Sequence, residues 1–166
     1  MATHTISILG LNTLPNTSGN VYFEPHAINF GSNDRYPLLV GVFKDTATRD
    51  TLGFGFRVPQ NYVGNPAFLI EYATTATTGD FDSEIDYTSV ADGESLDPSA
   101  DQENIAALTT VPGTARLMDV ITITATAANF AVGDKVVGVL ARDGADGDTV
   151  AASIYIFGLY FQYTDV

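Results

Sequence analysis

The sequence predicts an all-β fold: a single jelly-roll-like antiparallel β-sandwich of about eight strands, carrying an extended N-terminal arm. Three observations lead there. Thr (20 residues), Val, Ile, Tyr and Phe are abundant while Lys, Gln and Glu are scarce, the bias of pleated, half-buried surfaces rather than of helices. Fifteen glycines and seven prolines punctuate the chain at short intervals, as several antiparallel strands require. Large side chains alternate with period two, most clearly in Phe54, Phe56 and Val58 and again in Ile121, Ile123 and Ala125 against Thr122 and Thr124. With 166 residues, one domain over residues 20–166 and an arm over residues 1–19 are the expected organisation.

The elements follow in chain order. In the arm, Ile6 and Ile8 alternate with Thr5 and Ser7, so it can add as a strand to a sheet edge, in its own subunit or in a neighbour, with Ile6, Ile8 and Leu9 as anchors. The run from Val21 to Phe30 is interrupted by Pro25, which consigns it to a sheet edge or a bulge. Pro37–Phe43, Leu52–Val58 and Pro66–Tyr72 are strong strands, with a turn over Pro59–Gly64. Between Asp80 and Glu103 lie nine of the 20 acidic residues and no basic one. That segment reads as an exposed excursion holding one short strand near Ile85–Val90 and a helical turn near Asp101–Leu108. Leu117–Ala125, Lys135–Leu140 and Ala151–Tyr163 complete the set.

Strict alternation along the last strand puts Ile154, Ile156 and Tyr160 on one face and Tyr155, Phe157, Leu159, Phe161 and Tyr163 on the other, both apolar. A two-layer sandwich cannot hide both, so a partner subunit, the arm or a loop is expected to cover the second face, and Tyr155, Phe157, Leu159 and Phe161 are the candidate subunit interface.

Composition excludes much chemistry. A net charge of -13 argues against nucleic acid as a partner, and the absence of cysteine removes thiol catalysis, disulfides and thiolate metal sites. Neither histidine, His4 or His26, sits in a nucleophile or metal motif, and no catalytic residue is assigned. No cofactor is expected. The N-terminus lacks the basic and apolar regions of a secretory signal, and no apolar run approaches the roughly 20 residues of a membrane-spanning helix, so no membrane partner is expected. Asp143, Asp146 and Asp148, spaced by glycines, form a weak calcium candidate; the competing reading is an Asp- and Gly-rich turn joining two strands.

Two stretches carry a resemblance. Phe54-Gly-Phe-Arg-Val-Pro-Gln-Asn-Tyr-Val-Gly64 with the strand Pro66–Thr75 is similar to a strand, VP-x-x-Y-x-G turn and strand unit. Val136–Thr149, running into Ser153–Tyr163, resembles an RDG-x-D-x-x-D-T turn and terminal strand. Both resemble small jelly-roll structural proteins of tailed bacteriophages, of the capsid decoration or cement kind. That resemblance implies a homotrimer on the outer surface of an icosahedral capsid, with the major capsid protein as partner and the virion exterior as location. The alternative expectation is a carbohydrate- or receptor-binding jelly-roll module of a head fibre or tail.

Overall fold

A computed structural model describes residues 1–9, 14–15, 20–27, 37–95 and 101–165. They form two antiparallel sheets packed face to face, a jelly-roll-like sandwich as expected. Eleven strands occur in chain order among the described residues: β1 (Thr3–Ser7), β2 (Leu14–Pro15), β3 (Val21–Ala27), β4 (Pro37–Phe43), β5 (Arg49–Arg57), β6 (Gly64–Thr74), β7 (Asp80–Val90), β8 (Glu103–Thr110), β9 (Asp119–Thr124), β10 (Lys135–Asp143) and β11 (Ile154–Thr164). The first sheet runs β3-β4-β11-β6-β9, with β1 also paired to β11; the second runs β2-β5-β10-β7-β8. A single 3-10 turn, Ala127–Asn129, links β9 to β10.

Period-two alternation explains most of this. In β9, Ile121 and Ile123 are buried and Thr122 and Thr124 exposed. In β5, Leu52, Phe54 and Phe56 point into the sandwich between half-exposed Thr51, Gly53 and Gly55. The core is an aromatic stack in which Phe161 meets Phe56 at 4.6 Å and Phe130 at 5.1 Å between ring centroids, and Tyr87 lies 5.0 Å from Phe130. Gly138 makes room for it: a Cβ there would fall 2.8 Å from the Phe54 ring and 2.9 Å from Tyr87. Pro25 lies in β3 at the edge of the first sheet, where its missing N–H costs no ladder bond. The expected strand positions 28–30 lie outside the described residues.

The acidic segment differs from expectation. β7 is eleven residues long and sits between β10 and β8 inside the second sheet, and residues 103–110 form β8 rather than a helical turn. The carboxylates alternate with core residues: Phe81, Ile85 and Tyr87 point inward while Asp82, Glu84 and Asp86 share the outer face. The expected short strand near Ile85–Val90 is the C-terminal part of this longer one. Arg49 of β5, reaching across β10, offsets part of the electrostatic cost by bonding Glu84 at 2.6 Å and contacting Asp86, which Asn104 also contacts.

Candidate functional site

The last strand decides which side chains face solvent. Ile156 of β11 pairs with Tyr72 of β6 and Gly158 with Glu71, so the register shifts at Phe157, the extra residue of a β-bulge. One extra residue reverses the alternation. Before the bulge Ile154 and Ile156 point into the core; after it Leu159, Phe161 and Tyr163 do, and all five are buried. Leu159 and Phe161 are therefore core residues, each 0% exposed, and correct the expectation of a subunit interface at these two positions. The strand has one buried face throughout and no second apolar face to hide. Tyr155 and Phe157 are the two expected interface residues left half-buried.

The arm anchors are likewise placed within the chain. β1 runs antiparallel to Tyr160–Thr164, pairing Ile6 with Phe161 and Ser7 with Tyr160. Ile8 is buried in the core, its amide donating to the Leu159 carbonyl at 2.8 Å, while Ile6 and Leu9 pack against the core. His4 stacks on Tyr163 and bonds Asp165 at 2.7 Å; Asp165 also accepts the Ala2 amide at 2.9 Å. These hydrogen bonds, together with the nearby His4, hold the Asp165 carboxyl below its ordinary range.

The calcium candidates form a turn. Asp148 makes a double contact with Arg142 and accepts the amides of Asp82 and Val150, and Asp143 accepts the Ala145 amide at 2.9 Å. Asp146 is exposed and remains apart. Among the described residues no group of three or more His, Asp or Glu side chains is arranged to hold a metal ion. Arg142 is buried and also donates to the carbonyls of Lys44 at 3.0 Å and Ala152 at 2.8 Å, so this motif locks the β10–β11 connection onto β4 and β7. Burial pushes the Asp82 carboxyl up, and the nearby carboxylates Glu84, Asp143 and Asp146 add to that, against the lowering bond from the Gly147 amide.

The outer face of the first sheet carries a second group of aromatic and charged side chains. Tyr22, Val42, Tyr155 and Ala73 form one row across β3, β4, β11 and β6, in which Val42 and Ala73 are buried; Tyr160, Leu69 and Thr122 form another across β11, β6 and β9. Tyr22, Tyr155 and Tyr160 are half-buried. Tyr22 and Tyr155 stand two strands apart, about 10 Å. The Lys44 ammonium lies 5.4 Å from the Tyr22 ring centre. Tyr160 lies over Gly158, where any Cβ would collide with its ring, and donates to Glu71 at 2.9 Å. Burial raises the Tyr160 phenol, helped by that bond and by the Glu71 charge, and burial likewise raises Tyr22, with Glu24 and Tyr155 adding to it. The face thus offers aromatic planes flanked by a carboxylate and a cation. Of these the sequence singled out Tyr155, as a subunit-interface candidate; strict alternation put Tyr160 on the opposite face, and only the bulge brings the two to the same side.

No protein-family model matches the sequence, and neither does any curated protein. Solved structures do match in fold. The K1 cleaved adhesin domain of Lys-gingipain from Porphyromonas gingivalis W83 aligns over 99% of this chain and 99% of that one, with a TM-score of 0.52 and 10% identity. The CBM22-1 xylan-binding domain of Paenibacillus barcinonensis Xyn10C aligns over 99% and 94%, with a TM-score of 0.50 and 10% identity. The MgGH51 α-L-arabinofuranosidase aligns over 92% of this chain but only 23% of its own length, with a TM-score of 0.50 and 11% identity. At such identities the likeness establishes the fold: this chain is a β-sandwich of the architecture used by a xylan-binding domain and an adhesin domain.

Proposed function

We propose that the protein is a non-catalytic carbohydrate-binding module whose ligand lies on the outer face of the first sheet. The observation that carries the reading is the juxtaposition of Tyr22, Tyr155 and Tyr160 with Glu71 and Lys44 on one outer face. Sugar rings have apolar faces that pack on aromatic planes and hydroxyl rims that bond carboxylates and ammonium groups, and this face offers both. The fold it shares with a xylan-binding domain supports the same reading. A glycan panel tests it: saturable binding by the wild-type chain, lost in Tyr155→Ala and Tyr160→Ala, is the expected result, and no binding to any neutral glycan overturns it.

A second reading has its own observation. Leu117, Met118 and Val120 are exposed together where β9 forms the free edge of the first sheet. An apolar sheet edge suits a protein partner, and the sequence resemblance to phage decoration proteins suggests which kind: a major capsid protein on the outer surface of a virion, engaged by a homotrimer. Sedimentation at micromolar concentration and co-pelleting with undecorated capsids test that proposal. A monomer that fails to bind shells overturns it.

A further inference from the structure

On the opposite side of the sandwich, the outer face of the second sheet holds two basic residues in direct register. Lys135 of β10 pairs with Arg57 of β5. Like charges placed opposite each other destabilise a sheet, and this chain has only seven basic residues against 20 acidic ones. Among the described residues neither cation makes an ion pair: Arg57 spends one donor on the Gly133 carbonyl at 2.7 Å, and Lys135 has no hydrogen-bond partner at all. Lys135 lies across Gly55, its Nζ 3.2 Å from where a Cβ would stand, so the glycine gives the ammonium its resting place. The two side chains, with Val90 and the turn Ala91–Glu94, line a cavity of about 210 Å³. In that turn Glu94 is engaged, accepting the Ala91 amide at 2.9 Å, while Asp92 is exposed.

We infer that this cavity binds the carboxylate of an acidic saccharide, one uronic acid unit at a time. Arg57 has four donor positions left in a planar fork that matches a carboxylate, and Lys135 adds a second charge beside it. Asp92 supplies an acceptor for sugar hydroxyls. The volume is below that of a site for a whole drug-sized ligand and suits a single unit of a chain. The saccharide part of this assignment rests on the carbohydrate reading above; the anion part rests on the unpaired cations alone.

The test titrates the full chain with oligogalacturonate and alginate oligomers, with their methyl esters, and with inorganic phosphate. At least one acid oligomer is expected to bind, its methyl ester at least tenfold more weakly, and phosphate only at far higher concentration. Lys135→Met and Arg57→Gln, each checked for an unchanged melting temperature, should bring binding of the acid form down to that of the ester. Equal binding of acid and ester, no binding of either acid oligomer, or indifference to both substitutions overturns the inference. Phosphate competing as well as the oligomer overturns the saccharide assignment. Neutral glycans with the Tyr155→Ala and Tyr160→Ala variants report on the other sheet, so the two readings fail separately.

Discussion

Arg142 and Asp148, six residues apart on either side of a turn, meet in a double contact of 3.0 and 2.7 Å with both side chains at most 3% exposed. The arginine's remaining donors are spent on backbone carbonyls, so the pair joins β10, the following turn and the end of β4 into one unit. A buried pair of this kind is worth little against an apolar replacement of both partners, but removing one strands the other. Asp148→Ala should therefore lower stability by about 3–5 kcal/mol, while the double variant Arg142→Met/Asp148→Leu should recover a substantial part of that loss. Urea denaturation followed by circular dichroism measures both. A single-variant loss under about 1 kcal/mol contradicts the assignment of the motif as a structural lock.

Glu103 of β8 gives the sandwich an acid-sensitive clasp. Burial alone would raise its carboxyl, but bonds from Tyr87, from the Thr126 hydroxyl at 2.7 Å and amide at 3.0 Å, and from Asn129 at 3.0 Å outweigh burial and lower it. A carboxylate whose folded value lies below its unfolded one contributes stability that is present above the unfolded value. That stability is lost as pH falls from about 4.5 through the depressed folded value. Asp82, raised by burial, works in the opposite direction and favours the folded state as pH falls. The Glu103 contribution is isolated by difference: Glu103→Gln should be less stable at neutral pH, and the gap from wild type should narrow below about pH 4. A pH-independent gap would contradict it.

Residues 1–9 of the arm pack onto the sandwich, with Ile8 in its core. Ile8→Ala should cost about 2–4 kcal/mol, as expected for a buried isoleucine, and deletion of residues 1–9 should both destabilise the chain and expose the Tyr160–Thr164 edge of β11. Thermal melts and size-exclusion chromatography read the two effects. A truncated chain that melts like the full one and stays unassociated contradicts this placement.

Much of this architecture was legible in the sequence. The alternation in Phe54, Phe56 and Val58 and in Ile121, Ile123 and Ala125 located β5 and β9 because side-chain period and burial agree there. Pro25 correctly marked an edge strand. The acidic segment misled because Asp82, Glu84 and Asp86 look like a solvated loop until Phe81, Ile85 and Tyr87 are read as the other face of one strand. The bulge at Phe157 was not legible at all. Nothing in Ile154–Tyr163 signals a shift of register, since both registers present apolar side chains, and only pairing with β6 shows which of them turn inward. For the same reason the recognition face was half seen, through Tyr155 alone.

Aromatic packing against a sugar ring contributes about 1 kcal/mol per plane, so Tyr155→Ala or Tyr160→Ala should each weaken glycan binding roughly five- to tenfold. Tyr160→Phe keeps the plane and removes only the bond to Glu71, and should retain most of the affinity. Titration calorimetry against the best glycan of the panel separates these cases. Equal losses in Tyr160→Ala and Tyr160→Phe would show that the hydroxyl, not the ring, carries the interaction.

Carbohydrate binding on the outer face of the first sheet, as proposed above, can be read residue by residue. The most direct test is a two-dimensional NMR titration of the labelled chain with the best neutral oligosaccharide of the panel. Saturable shifts clustered at Tyr22, Leu69, Tyr155 and Tyr160 are expected. Shifts confined to other surfaces, or none at millimolar oligosaccharide across the panel, would contradict it.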